Sequence, residues 1–329
     1  MFEPRTLGLI GGVLVVLAAA TAVARVLKQR AADSGLDAAM IETFRLRVRA
    51  WWVLFTLLAA AFLIGKIATV VLFGLISFWA LREFITLTPT RPGDHRTLFW
   101  VFFLCTPLQF VLVALGNYAL YSVLIPVYAF LLIPARIAVA GDYKRFLERS
   151  AKIQAGLLIC VYCLSYAPAL LTLDLPRANP AANARLLFFF VLMVQLSDAF
   201  QYAWAQIPSR HPIAPTISPT RTWEGLAGGT ATVALIGSVL WWATPFDWPA
   251  GVALAALLSS IISLMSFAGA ITLSAIKRDR GVKDYGTLVQ GHGGVLDRID
   301  SICFSAPVFF HLTAWLLRWM ADRPIGPSP

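Results

Sequence analysis

Residues 250–273 read AGVALAALLSSIISLMSFAGAITL and contain no charged side chain. A helix needs about 20 apolar residues to cross the hydrocarbon core of a bilayer, so this run is long enough to span one. The rest of the chain has the same character. Of its 329 residues 59% are hydrophobic and 13% are charged, against roughly half and a quarter in an ordinary soluble domain. Comparable apolar segments lie near 7–27, 50–64, 67–81, 97–115, 118–139, 153–173, 186–204, 226–243 and 302–319. The segment 7–27 lacks the basic flank of a signal peptide and is followed by further spans, so it reads as a retained first crossing. The segments 50–64 and 67–81 are separated only by Gly65 and Lys66, and they form either a hairpin or one re-entrant unit. The expected fold is therefore all-α, a polytopic transmembrane helical bundle with nine to ten spans.

The basic residues order these spans. The connections 25–49, 82–96, 141–152, 205–225 and 274–301 carry 6, 3, 4, 2 and 5 Lys or Arg, while the connections between them carry only Lys66, Arg177 and Arg185. By the positive-inside rule the five basic loops face the cytoplasm and both termini lie outside it. The formal charge of +10 is thus explained by topology, without a nucleic-acid partner. No linker or repeat divides the chain, and residues 1–329 read as a single membrane domain. Within it, helices 1–173 carry few functional signals and 186–319 carry the motifs. Cys160 and Cys163 form a C-x-x-C inside an apolar run, where small packing residues are the expectation rather than metal or redox chemistry.

Polar side chains collect in two of the basic connections. The first begins at Asp198, an acid within an apolar run, where a carboxylate is costly and marks an interior function or partner. It continues through Arg210 and His211 to Ser218-Pro-Thr-Arg-Thr-Trp-Glu-Gly225. There hydroxyls, a guanidinium and a helix start can offer Ser218, Arg221 and Thr222 to a phosphate. A plain Ser/Thr N-cap explains the same residues equally well.

The second is the segment 274–300, SAIKRDRGVKDYGTLVQGHGGVLDRID. On a helix continuing from residue 273, Ser274, Lys277 and Arg278 share one face and suit an anionic group. Gly291-His292-Gly293-Gly294 lies between a loop and a new helix, where backbone N–H groups can approach phosphate oxygens. His292 is expected to take a positional hydrogen-bonding role rather than that of a general base. Asp297 and Asp300 fall on one face of the next helix and suit Mg²⁺, which takes one or two protein carboxylates besides phosphates and water. Arg298 lies between them in sequence but points elsewhere.

The run S-x-x-K-R-x-x-x-x-K-D followed by G-H-G-G-x-x-D-R-x-D, spanning Ser274 to Asp300, resembles the signature of the phosphatidate cytidylyltransferases, the CDP-diacylglycerol synthases. Ser218–Gly225 resembles that family's Ser-Pro-Lys-Lys-Thr-x-Glu-Gly element, and Asp198 falls where its preceding span carries an acid. The resemblance covers about the C-terminal half. It implies transfer of CMP from CTP to phosphatidic acid at a bacterial inner membrane, with Mg²⁺ as cofactor and a monovalent cation as a companion to test for. Lys277, Asp297, Arg298 and Asp300 are its implied catalytic residues. Ser218, Arg221, Thr222, Ser274, Arg278, Lys283, Asp284, His292, Gly293 and Gly294 are its implied substrate-binding residues. Asp297, Asp300 and Asp198 are its implied metal ligands. CTP, a lipid phosphate and the bilayer are the implied partners, and a homodimer is the oligomer to test for.

One departure matters. Where the family has Gly-Asp before the signature serine, this chain has Gly269-Ala270, so a metal-binding carboxylate is absent. Three accounts stay open: an inactivated variant, a natural protein that has lost catalysis, or an active enzyme using Asp198 or Asp284 instead. Thr220 in place of a basic residue and Gln290 in place of proline are milder changes. The alternative function is a catalytically inactive nucleotide- or lipid-binding membrane protein serving a partner.

Overall fold

The computed structural model describes residues 55–62, 64–87, 90–175, 180–207, 211–286 and 293–322, with scattered positions before 55. Eight long helices follow one another: α1 (Lys66–Thr86), α2 (Pro92–Ala114), α3 (Tyr118–Val139), α4 (Phe146–Thr172), α5 (Pro180–Trp204), α6 (Trp223–Val239), α7 (Ala250–Asp279) and α8 (Leu296–Ala321). All except α6 are long and apolar enough to cross a membrane, which makes seven among the described residues. The nine or ten spans expected from sequence thus find seven counterparts. The expected segment 226–243 is α6, with 17 residues, ending before a tight turn at Trp241–Ala243. Of the expected segment 50–64, residues 55–62 are described and helical, while about half of 7–27 lies outside the described residues. Gly65, with φ 129° and ψ −176°, breaks the chain direction just before α1, a conformation open to glycine and strained for other residues.

Among the described residues, the sheet structure is a hairpin of β1 (Pro212–Ala214) and β2 (Ser218–Thr222), antiparallel, with Pro212 opposite Thr222 and Ala214 opposite Ser218. Polar and proline-rich, this stretch gives no apolar alternation from which a strand is legible.

The helices pack by two devices. In α2, α3 and α4 a wide π-helical turn interrupts the α-helix, at Val101–Cys105, Leu124–Ala129 and Leu158–Cys163. The freed backbone groups need partners in a bilayer, and the Thr106 hydroxyl donates to the Val101 carbonyl at 2.8 Å. In α5–α8 small residues bring backbones close, as is usual between membrane helices. Gly229 abuts Gln201 of α5, Gly237 abuts Ser259 of α7, and a Cβ at Gly269 would stand 2.6 Å from the Asp300 carbonyl oxygen of α8.

One end of the bundle is polar. There the C-terminal ends of α1, α5 and α7 meet the N-terminal ends of α2, α4, α6 and α8. Arg149 of α4, almost fully buried, binds the equally buried Asp94 at 2.7 Å and donates to the Lys144 carbonyl at 2.7 Å and the Asp142 carbonyl at 3.1 Å. Removing one member of a buried pair leaves the other charge uncompensated, which costs about 3–5 kcal/mol. Arg149→Met is therefore expected to lower the thermal unfolding temperature in detergent sharply. An unfolding temperature equal to that of the parent would mean that the pair contributes nothing.

Candidate active site

The site is assembled from the hairpin, the ends of α5 and α7 and the start of α8. From α5, Asp198 meets Arg221 of β2 at 3.6 Å, and the Arg221 Nη1 donates to Gln201 Oε1 at 2.7 Å. Gln201 in turn donates to the Ser197 hydroxyl at 2.9 Å and the Ser263 carbonyl at 3.0 Å. Arg221 also lies over the Phe267 ring, 6.0 Å from its centre. The guanidinium is thus held at the membrane end of the site by groups from α5 and α7, an arrangement that suits a planar anion.

Thr222 is the N-cap of α6, its hydroxyl accepting from the Gly225 N–H at 3.0 Å. This realises the capping reading of the serine–threonine segment. Glu224 bonds the His211 backbone N–H and imidazole, at 3.0 and 2.5 Å, tying the start of β1 to α6. Ser218 and Thr220 sit in β2 with their hydroxyls 3.5 Å apart. Arg278, exposed at the end of α7, donates to the Ile217 carbonyl at 3.2 Å and pins the hairpin against that helix.

Helix α7 runs unbroken past Ser274 and Lys277, as expected for a shared face. Ser263, Phe267, Ala270, Ser274 and Lys277 recur at alternating spacings of four and three residues, one stripe along the helix. Ser263 reaches Gln201, Phe267 carries Arg221, and Lys277 reaches Asp297. Ala270, which is buried, occupies the middle of this stripe, between the two cations.

Asp297 and Asp300 have different surroundings. One Asp297 oxygen accepts from Lys277 at 2.8 Å; the other accepts from the backbone N–H groups of Tyr285 at 2.8 Å and Gly294 at 2.9 Å. Its acceptor positions are largely taken up in folding the loop. Asp300 accepts from the N–H of its neighbour Ser301 at 2.7 Å, and an ionised carboxylate has about four acceptor positions. Asp198, Arg221 and Lys277 all lie within electrostatic range of Asp300. A site formed by Asp198 and Asp300 fits the modest protein contribution that Mg²⁺ requires. Among the described residues no three His, Cys, Asp or Glu side chains converge.

The remaining signature residues form the rim. Lys283 and Asp284 are exposed. Gly293 has φ 79°, and a Cβ there would meet Asp297 Oδ2 at 2.8 Å. His292 lies outside the described residues. Tyr285 is buried, donates to the Leu273 carbonyl at 2.9 Å and stacks on Phe84 of α1. Burial pushes its phenol well above the ordinary value.

Two features were not foreseen from sequence. Glu83 of α1 is buried and accepts from the backbone N–H groups of Val295 at 2.9 Å and Leu296 at 2.8 Å, at the start of α8. It is the single acid in Lys66–Thr86, and an ionisable group in an apolar helix was the available signal. The second is a cavity of about 480 Å³ lined by apolar residues that include Phe73, Phe188, Leu192 and Ile302, with Gln195 and Arg298 as its polar members. At about 100° per residue, Arg298, Ile299 and Ile302 face away from Asp297 and Asp300, so α8 separates cavity from carboxylates. Helix α5 does not divide them in this way: Gln195, which lines the cavity, and Asp198 are three residues apart and share one helix face.

Fold and site define a helical-bundle membrane protein whose charged side chains gather at one end of the bundle. The chain belongs to the cytidylyltransferase family, whose model matches residues 45–316. It is 36% identical over 266 residues to the uncharacterized protein YnbB of Escherichia coli, covering 81% of this chain and 86% of that one. It is 34% identical over 152 residues to a phosphatidate cytidylyltransferase of Mycobacterium leprae, covering 45% of this chain and 46% of that protein. It is 34% identical over 173 residues to the phosphatidate cytidylyltransferase of Pseudomonas aeruginosa, covering 53% and 60%. The match to these two enzymes thus spans about half of their length.

Proposed function

We propose that this chain transfers CMP from CTP to phosphatidic acid, forming CDP-diacylglycerol and pyrophosphate. The observation that carries the reading is the back-to-back arrangement of a polar site and an apolar cavity on opposite faces of α8, with Arg298 facing the cavity. Such a pair suits a reaction between a water-soluble nucleotide and a lipid phosphate. The charge count along the sequence turns the polar end toward the cytoplasm, where CTP is found.

In this reading an acceptor phosphate oxygen attacks the α-phosphorus of CTP. The bond from that phosphorus to the β-phosphate breaks, and pyrophosphate leaves with the electron pair. An ionised phosphate is already a nucleophile, so the protein's work is alignment and charge neutralisation. Arg221 and Lys277 stand at the two ends of the site to hold phosphate oxygens, with Ser218 and Ser274 as hydroxyl donors and Arg278 and Lys283 at the rim. Arg298 approaches the lipid phosphate from the cavity side. Asp198 and Asp300 would hold Mg²⁺, which when bound neutralises phosphate oxygens as a Lewis acid.

The test is CMP transfer from labelled CTP to phosphatidic acid in detergent micelles with Mg²⁺. Arg298→Leu, which removes a charge-assisted contact of about 1.5–3 kcal/mol, is expected to raise the KM for phosphatidic acid about tenfold or more. The KM for CTP should change far less. Equal effects on both would remove Arg298 from the lipid side.

A second reading is favoured by Ala270: a binding protein that retains nucleotide or lipid recognition without turnover. Saturable CTP binding with no transfer, in the parent and in Ala270→Asp alike, would select it.

A further inference from the structure

The glycine corner before α8 is gripped from two sides. From inside the site, Asp297 takes the N–H groups of Gly294 and Tyr285 and the Lys277 ammonium. From α1, more than two hundred residues earlier in the chain, Glu83 takes the next two N–H groups, those of Val295 and Leu296. Together the two carboxylates occupy three consecutive backbone donors at a helix N-terminus, the place where a free anion would otherwise bind.

The fit around Glu83 is close on every side. A Cβ on Gly294 would stand 2.3 Å from Glu83 Oε2, and one on Gly286 would stand 2.6 Å from Oε1. These two glycines therefore admit a carboxylate against the backbone. Phe84, next in α1, stacks on Tyr285 at 6.3 Å with the rings 17° apart, and the Lys277 ammonium lies 5.6 Å from the centre of the Tyr285 ring. One turn of α1 thus supports both ends of the loop that carries the signature residues.

We propose that Glu83 is a positioning residue of the transfer reaction: by capping α8 from α1 it sets where Asp297, Arg298 and Asp300 stand relative to Lys277. The inference rests on the cytidylyltransferase reading for its activity readout only. It also accounts for Gly286 and Gly294 as neighbours of a carboxylate rather than of a substrate phosphate. Phosphate binding then falls to side chains at this end of α8, since the backbone donors are already taken.

The experiment uses the full chain and Glu83→Gln in detergent, with Ala270→Asp present in both where turnover requires it. Glutamine keeps the shape and one carbonyl acceptor but loses the charge and the second acceptor. Amide hydrogen exchange over 285–300, thermal unfolding and steady-state CMP transfer are measured together. Losing one charge-assisted bond corresponds to about a tenfold change in an equilibrium or rate. Exchange at Val295 and Leu296 is expected to quicken by about that factor, and kcat to fall about tenfold with the KM for CTP altered less than about threefold. A purely structural role would lower the unfolding temperature and leave the kcat of the folded fraction unchanged, which would overturn the proposal. Unchanged exchange would overturn it as well. If the parent transfers no CMP with or without Ala270→Asp, the reaction assignment fails instead, and the exchange result alone decides whether Glu83 holds the start of α8.

Discussion

Ala270→Asp is expected to raise Mg²⁺-dependent CMP transfer by about a hundredfold or more, since loss of groups that hold or orient a metal costs about 10–100-fold even outside the coordinating set. The position is buried in the middle of the α7 stripe, between Phe267, which supports Arg221, and Ser274 and Lys277. A third carboxylate there joins Asp198 and Asp300, and without a cation the three repel one another. The substituted chain should accordingly be less stable than the parent in chelator and regain stability with Mg²⁺. At a hundred times the dissociation constant, one bound ion contributes about 2.7 kcal/mol. Turnover in the parent equal to that of the variant would mean that Asp198 and Asp300 suffice. Stability indifferent to Mg²⁺ in both would remove the metal from this position.

The second large effect is expected at Asp300. In whichever form of residue 270 supports turnover, Asp300→Asn should lower kcat/KM about a thousandfold, equivalent to about 4 kcal/mol of transition-state stabilisation, with little loss of folded protein. Asp297→Asn should behave differently. Its carboxylate accepts from Lys277 and two backbone N–H groups, so its loss should loosen the loop and lower the unfolding temperature. Titrating Mg²⁺ separates the two: Asp300→Asn should need far more of the ion, and Asp297→Asn should not. If both variants shifted the Mg²⁺ requirement equally, the division of labour between them would be wrong.

The parts of this molecule legible in sequence are those governed by local rules. A charge-free run such as 250–273 must be a helix in lipid, because only there are its backbone groups satisfied within the segment. The shared face of Ser274, Lys277 and Arg278 followed from continuing that helix, and Arg298 does point away from its acidic neighbours. The parts that stayed hidden depend on partners distant in sequence. Asp297 and Asp300 look equivalent on a helical wheel, and only the arrival of Lys277, Tyr285 and Gly294 makes one a loop organiser. Glu83 is a single acid in an apolar helix until Val295 and Leu296 are seen to reach it. The hairpin at 212–222 was illegible because its strands are polar and short, held by Arg278 and Glu224 rather than by an apolar face.

In the proposed reaction, the partition formed by α8 bears on traffic as well as on chemistry. A charged leaving group released on the Asp198–Asp300 side has a path to water that never crosses hydrocarbon, while a two-tailed product formed at Arg298 is already on the bilayer side. Nucleotide and lipid then have separate doorways. Congestion by one product should leave entry of the other substrate unobstructed, so inhibition by pyrophosphate and by product lipid should each be relieved by a different reactant.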